Sequence, residues 1–252
     1  METTLEPTML LLLLGAGLAG GCVNALAGGA TFFTFPAMLA TGLPPVVANA
    51  SNAVAVWPAS VTATFAFRRS LPQRDRWLAL SLAVTLAGAL LGAWLLLQSD
   101  EGLFMALVPW LLLSATLLFA FAGPLQRRLA QRRPPGPARA LPLQALAAVY
   151  GGYFGAGLGI MLLAVLALAG GRDIRSMNAV KNLLSALVGL VALLVFAGSG
   201  AIAWPETLVM LSGAVAGGWI GGRFGQRAPA GLIRAVVIGV GTLLTLVYFL
   251  RA

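Results

Sequence analysis

The chain alternates between long apolar stretches and short polar or arginine-rich connections. A helix that crosses a membrane needs about 20 consecutive apolar residues. Six stretches have about this length without an internal break, and each predicts one membrane-spanning helix. They cover residues 44–67, 77–98, 102–123, 174–197, 204–222 and 232–250.

Two further apolar stretches, 9–42 and 143–171, are too long for one span and contain clustered glycines. Because glycine weakens a helix interior, each stretch predicts a helix, a break and a shorter second helix. If the shorter helix does not cross the hydrocarbon core, each pair forms a re-entrant hairpin, and the sequence leaves open whether the pairs span the membrane or re-enter. The breaks are expected at Gly28 and Gly29 in the first stretch and at Gly155, Gly157 and Gly159 in the second.

Composition assigns the class. Of the 252 residues, 60% are hydrophobic and 9% are charged, whereas soluble domains carry about 25% charged residues. We therefore predict an all-α integral membrane protein, and the net charge of +9 does not indicate nucleic-acid binding. With no histidine and with Cys22 as the single cysteine, we expect no imidazole catalysis, metal site, disulfide framework or cofactor. The chain is predicted not to be an enzyme.

Basic residues occupy alternate connections, which predicts orientation. The turns at Asp100 and Glu101 and at residues 198–203 contain no basic residue. By the positive-inside rule, the arginine-rich loops are cytoplasmic and both termini lie outside the inner (cell) membrane. The predicted cytoplasmic set is Arg68, Arg69, Arg74, Arg76, Arg127, Arg128, Arg132, Arg133, Arg139, Arg172, Arg175, Arg223, Arg227 and Arg234.

The two broken stretches begin two related halves. With a shift of 130 residues, Gly21 aligns with Gly151, Gly29 with Gly159, and Asn52 with Asn182. Three spans follow each hairpin, and an odd number places the second half in the opposite orientation. The prediction is two inverted-topology repeats at 8–125 and 140–251, about eight membrane segments in total, joined by an Arg/Pro-rich linker at 126–139. Such repeats are typical of transporters, whose sites lie at interrupted helices.

Polar residues accompany both breaks, and polar groups at membrane depth are usually functional. Lys181, the only lysine, lies about 10 Å of helix rise after Ile174. Carboxylates occur only at span ends and in loops, so an anion site is favoured over a cation site. The candidate substrate-binding residues are Asn24, Gly28, Gly29, Asn49, Ser51, Asn52, Gly155, Gly157, Gly159, Asn178, Lys181 and Asn182.

Each of these assignments has a structural alternative. Lys181 would extend its ammonium group to the cytoplasmic interface. The asparagine pairs would form hydrogen bonds between helices, and the glycines would permit close helix packing. We assign packing to the four small-residue pairs Gly17/Gly21, Gly88/Gly92, Gly213/Gly217 and Gly218/Gly222.

Both halves contain motifs of a known family. The stretches NALAGGATFFTFPAMLATGLPPVVANASNAVA (24–55), GGYFGAGLGIMLLAVLALAG (151–170) and NAVKNLLSA (178–186) resemble the sulfite exporter TauE/SafE family, also called TSUP. The resemblance spans nearly the whole chain. It implies bacterial-type membrane proteins that move sulfur-containing anions such as sulfite, sulfoacetate and related organosulfonates. One departure is Gly28-Gly29-Ala30-Thr31, where relatives often have more glycines.

We therefore predict a secondary or facilitated transporter of a small anion, working by alternating access without an ATP-binding motif. A non-transporting membrane accessory or assembly protein and an anion channel are the alternatives. Membrane lipid is an expected partner, and a coupling ion (proton or sodium) and a homodimer are left open. The sequence leaves the anion and the direction of transport unassigned.

Overall fold

The computed structural model describes residues 6–72, 76–131, 136–171, 173–224 and 230–251. Within these ranges the chain forms ten α-helices, one short 3-10 turn at Arg68–Ser70 and no strand. Arg74, Arg132, Arg133, Arg172 and Arg227 lie outside the described residues. The helices are α1 Pro7–Ala27, α2 Thr31–Ala40, α3 Pro45–Phe67, α4 Arg76–Gln98, α5 Glu101–Gln131, α6 Pro137–Tyr153, α7 Leu158–Leu168, α8 Ile174–Ser199, α9 Trp204–Phe224 and α10 Ala230–Arg251.

These helices confirm the predicted all-helical class and its elements. The six unbroken stretches are α3, α4, α5, α8, α9 and α10. The two broken stretches are the pairs α1/α2 and α6/α7. The chain is interrupted at Gly28 and Gly29 and at Gly155 and Gly157, as predicted, whereas Gly159 lies inside the first turn of α7 and is not part of the break. Helix α5 continues into the predicted 126–139 linker as far as Gln131, and α6 begins at Pro137.

The surface of the helical bundle is apolar. Among the residues that the structure describes, four helices are long and apolar enough to cross a membrane: Pro7–Ala25, Arg76–Gln98, Glu101–Phe121 and Ile174–Ser199. Large apolar side chains on the outside of the bundle are well exposed, for example Leu11 at 71% and Trp110 at 60%. Lipid, rather than water, is the solvent in which such a surface is stable. The chain is a multi-pass integral membrane protein.

Helix α3 is the most enclosed of the long helices in its N-terminal half, where its buried residues run from Val46 to Ala55. It packs against α1, α2, α5, α8 and α9. Its polar residues Asn49, Ser51 and Asn52 are all buried. These polar groups are therefore enclosed by the neighbouring helices and avoid lipid.

The two halves pack in matched pairs. Helix α1 of the first half packs along α9 of the second, and α6 of the second packs along α4 of the first. The central helices α3 and α8 pack on each other, as do the last helices α5 and α10. Helices at equivalent positions of the two predicted repeats therefore exchange partners, and the inverted repeat itself stays a prediction.

Glycines let these helices approach closely at three of the four pairs that were assigned to packing. The pair Gly218/Gly222 is the exception, because a Cβ at Gly218 would meet nothing nearer than 4.0 Å and a Cβ at Gly222 nothing within 4 Å. A Cβ at Gly17 or Gly21 would collide with backbone atoms of α9, and one at Gly213 or Gly217 would collide with α1. A Cβ at Gly92 would collide with the Val149 carbonyl oxygen on α6. Contact positions advance in the same direction on α1 and α9, so these two helices run parallel.

Two hydrogen bonds show which connections share one end of the bundle. The Val46 N–H donates to Glu101 Oε2 at 2.8 Å, which joins the start of α3 to the α4–α5 turn. The Ala203 N–H donates to Ser51 Oγ at 2.9 Å, which joins α3 to the α8–α9 turn. These two turns are the ones that sequence places outside together. The two turns lie at the same end of the bundle, which agrees with their predicted location on the same side of the membrane. Which side of the membrane this end faces stays a prediction.

Candidate functional site

The break between α6 and α7 has unpaired backbone donors. Gly155 and Gly157 have φ values of +81° and +74°, a left-handed conformation that favours glycine. The N–H groups of Ala156, Gly157 and Gly159 have no backbone acceptor within the described chain. They lie at the start of α7, where the helix dipole is positive. The break therefore offers donors to a negatively charged group.

The lysine predicted to supply charge lies beside this break. Lys181, on α8, is half-buried. A Cβ at Gly159 would lie 3.5 Å from Lys181 Cδ, so the lysine stem passes the first turn of α7. No described carboxylate forms an ion pair with it. Lys181 is thus a cation without a protein counter-ion among the described residues, next to unpaired N–H groups.

Asn49 connects the central helix α3 to the same break. Its Nδ2 donates to the carbonyl oxygen of Tyr153, the last residue of α6, at 2.8 Å. The Tyr153 hydroxyl in turn contacts Ser99 Oγ at 3.1 Å. Asn49 is 1% exposed and its Oδ1 has no partner. The side chain therefore joins two helices through its nitrogen and leaves its oxygen available.

Asn52 lies one turn further along the same face of α3. It is 1% exposed, and neither its Nδ2 nor its Oδ1 has a hydrogen-bond partner in the described chain. An unsatisfied buried polar group costs about 1–3 kcal/mol. Native proteins leave few such groups, and those they retain often serve a function. Asn52 is the strongest candidate ligand among the asparagines.

The remaining predicted asparagines and Ser51 have other surroundings. Ser51 accepts the Ala203 N–H described above, and Asn178 donates to the Ile174 carbonyl oxygen of its own helix at 2.8 Å. Asn182 is 6% exposed, with no side-chain hydrogen bond within the described residues. Asn24 is half-buried at the end of α1, and its carbonyl oxygen accepts the Gly28 N–H at 3.1 Å.

The two glycine breaks meet at one aromatic ring that the sequence did not single out. A Cβ at Gly29 would lie 3.3 Å from Phe119 Cζ, and a Cβ at Gly157 would lie 3.6 Å from Phe119 Cε2. The ring also packs edge-on against Phe32, with 5.7 Å between centroids. Phe119 belongs to a uniformly apolar span, so no sequence signal marks it. Only the packing brings both hairpins to this side chain.

The backbone of Phe119 is held by an arginine. Arg234 on α10 donates from Nε to the Phe119 carbonyl oxygen at 3.0 Å, and from Nη2 to the Ala120 carbonyl oxygen. Residue 124 is proline and has no N–H to donate to the Ala120 carbonyl within the helix. The sequence marks Arg234 only as a cytoplasmic arginine. In the structure it donates a hydrogen bond to the Ala120 carbonyl oxygen, which has no N–H donor at residue 124 of α5.

An all-helical membrane protein with two interrupted hairpins, whose breaks meet inside the bundle, has features that membrane transporters use. The model of the family described as "Sulfite exporter TauE/SafE" matches residues 13–248, so the chain belongs to this family. The resemblance read from the motifs is thereby confirmed.

Curated relatives agree with this class. The chain is 28% identical over 246 residues to a "Probable membrane transporter protein" of Haemophilus influenzae, covering 94% of this chain and 93% of the relative. It is 27% identical over 242 residues to "Probable membrane transporter protein YfcA" of Escherichia coli K12, covering 95% and 89%. A Sinorhizobium protein, "Probable membrane transporter protein ORF9", is 28% identical over 241 residues, covering 94% and 91%. No solved structure matches the chain.

These relatives support a membrane transporter with a small substrate. All three are named as transporters, and each match covers nearly the full length of the relative. Their names agree with the expectation that the chain is not an enzyme. These names specify neither a substrate nor a transport mechanism, so the predicted substrate and mechanism are part of the proposal below.

Proposed function

We propose that the protein is a secondary or facilitated transporter of a small, sulfur-containing anion such as sulfite or an organosulfonate like sulfoacetate. The observation that carries the proposal is the second helix break, where Lys181 lies beside unpaired N–H groups and where Asn49 of α3 binds the Tyr153 carbonyl oxygen. The family description, which names sulfite export, supports the sulfur-containing class.

Lys181 and the free N–H groups of Ala156, Gly157 and Gly159 attract the anionic group in this proposal. A charge-assisted hydrogen bond from an ammonium group is about twice as strong as a neutral one. Asn52 and Asn49 then bind the substrate from α3. Asn182, Asn24 and the first break at Gly28 and Gly29 complete the proposed site from the other hairpin and from α8.

Alternating access would change how the two hairpins contact Phe119. The ring lies against Gly29 of one hairpin and Gly157 of the other, and Arg234 anchors its backbone. When one half, 8–125 or 140–251, moves against the other, one break leaves the ring while the second stays in contact. The substrate then gains access from one side only, which is the requirement for a transporter rather than a channel.

The first test is substitution of the site cation in protein reconstituted in liposomes. Lys181→Gln removes the charge and keeps a hydrogen-bonding group, so we expect radiolabelled sulfite or sulfoacetate uptake to fall about tenfold or more. Arg175→Gln is the matched control, because Arg175 is an exposed cation on the same helix. Uptake by Lys181→Gln equal to that of the wild type would contradict the assigned site.

A second measurement separates the proposal from its rivals. Internal unlabelled anion should accelerate entry of labelled anion in a transporter, because the loaded site returns faster than the empty one. A channel shows saturation-free flux and no such acceleration. An accessory protein shows no flux at all, and no thermal stabilisation by anions in detergent.

For localisation, we propose insertion in the inner membrane with both termini outside and the arginine-rich loops in the cytoplasm. The support is the positive-inside rule together with the shared end of the two arginine-free turns. Reporter domains fused to each terminus and active only outside should be active in both fusions. A cytoplasmic reporter that is active at either terminus would contradict this topology.

A further inference from the structure

We propose that the transported anion carries its own hydrogen-bond donor, which binds the side-chain oxygens of Asn49 and Asn52. This inference deepens the proposed function and rests on it. It selects hydrogensulfite over sulfite, and hydroxy- or aminoalkanesulfonates over plain alkanesulfonates.

The orientation of the Asn49 amide follows from its partner. The Tyr153 carbonyl oxygen can only accept a hydrogen bond, so the nitrogen of Asn49 must face it at 2.8 Å. The opposite side of the amide is then the oxygen, and Asn49 Oδ1 is buried without a donor. What this residue leaves available is an acceptor.

Asn52 adds a second acceptor on the same helical face. The residues stand three apart on α3 and therefore neighbour each other. Both Asn52 Oδ1 and Asn52 Nδ2 are unpartnered and buried. The α3 side of the site thus offers two acceptors and one amide donor group, whereas Lys181 and the free N–H groups of the break are donors.

A fully deprotonated oxyanion matches only half of this site. Its oxygens accept from Lys181, from the free N–H groups and from Asn52 Nδ2, yet they leave both amide oxygens unsatisfied. A substrate with an O–H or N–H group supplies the missing donor. Sites built to bind a substrate hydroxyl or amine discriminate strongly against an analogue that lacks it, because their buried polar groups are then left unpaired.

The test compares pairs of anions that differ by replacement of a hydroxyl with a methyl group. Reconstituted protein is assayed with 2-hydroxyethanesulfonate against propane-1-sulfonate, and with glycolate against propionate. We expect the hydroxyl-bearing anion of the transported class to enter about tenfold faster or more at equal low concentration. Asn49→Leu and Asn52→Leu should each bring this ratio toward one.

Two further measurements keep the test decisive. Where a leucine variant does not transport, the same anion pairs are compared by the rise in melting temperature they cause in detergent. Thr62→Val is the matched control, since Thr62 is exposed on the same helix and its hydroxyl contacts only its own helix backbone. This variant should keep the wild-type ratio.

Each result has one consequence. Equal uptake within each pair by the wild type overturns the inference and leaves anion transport standing. A hydroxyl preference that persists in both Asn49→Leu and Asn52→Leu overturns the assignment of the donor to these oxygens. Absence of uptake and of stabilisation with every anion overturns the inference together with the proposed function. Sodium-dependent stabilisation that needs no anion and is lost in Asn49→Leu overturns it in favour of a cation at these oxygens.

Discussion

Two buried amides in this bundle have opposite surroundings. Gln144 on α6 and Asn52 on α3 are each 1% exposed. Gln144 Nε2 lies 2.8 Å from both the Ser81 carbonyl oxygen and Thr85 Oγ1, and Gln144 Oε1 accepts from Ser81 Oγ at 2.9 Å. Asn52 has no partner at either polar atom within the described chain. One amide is fully satisfied and the other is not satisfied at all.

The difference separates a structural polar group from a candidate site residue. Gln144 joins α6 to α4 with a closed set of hydrogen bonds, so it stabilises the fold and needs no ligand. Asn52 lowers stability unless something binds it, since a buried unpaired amide retains its desolvation cost. Burial of a polar residue in a membrane protein therefore indicates a site only when its partners are missing.

The largest expected effect is on transport, in Asn52→Leu. Leucine is close to asparagine in size and removes two unpaired polar atoms. Uptake in liposomes should fall about tenfold to a hundredfold, while the free energy of unfolding stays equal or rises by about 1 kcal/mol. Thermal unfolding in detergent measures the second quantity. A marked loss of stability would show that Asn52 has structural partners after all.

Gln144→Leu should give the reverse result. It leaves the hydroxyls of Ser81 and Thr85 without their partner, so the free energy of unfolding should fall by about 2–4 kcal/mol. Transport per correctly folded molecule should remain near wild type. A variant that folds as stably as the wild type but no longer transports would place Gln144 in the site. The contrast between a structural Gln144 and a site residue Asn52 would then be wrong.

A combined variant sharpens the interpretation of Gln144. Replacing both sides of a hydrogen-bonded set with apolar groups of similar shape is often nearly neutral. Ser81→Ala and Thr85→Val added to Gln144→Leu should therefore recover about 1–2 kcal/mol of the loss. If the losses in the free energy of unfolding from the three substitutions are simply additive, the cost of Gln144→Leu comes from packing and not from unpaired hydroxyls.

The smallest effect is expected for Thr62→Val on α3. The Thr62 hydroxyl contacts only the Pro58 and Ala59 carbonyl oxygens of its own helix and is exposed. Stability should change by less than about 0.5 kcal/mol, and uptake should not change. A clear loss of uptake would extend the functional face of α3 well beyond Asn49 and Asn52.

Much of the secondary structure could be predicted from sequence because its causes are local. The span of α4 follows from an apolar run of membrane length that ends near Gln98. The breaks follow from glycine: Gly28 and Gly157 both adopt positive φ, which other residues rarely do. The hydropathy of each segment and its glycines are properties of neighbouring residues, so no tertiary information was needed.

The candidate site was predictable only as a set of residue types. Asn49, Asn52 and Lys181 stood out because polar residues are costly at membrane depth. Their partners could not be read from the sequence: Asn49 binds the carbonyl of Tyr153, 104 positions away. No sequence signal marks Gln144, although it is as buried as Asn52, because its partners are on a distant helix.

The sequence by itself determined the class of protein, the helices, the two glycine breaks and the polar residues that accompany them. These depend on hydropathy and backbone preference, which act over a few residues along the chain. Only the tertiary structure decided which polar atoms are satisfied, that Phe119 lies against both breaks, and that Arg234 holds its backbone. Those facts depend on atoms brought together from distant helices, because a hydrogen bond or a ring contact is determined by position in space.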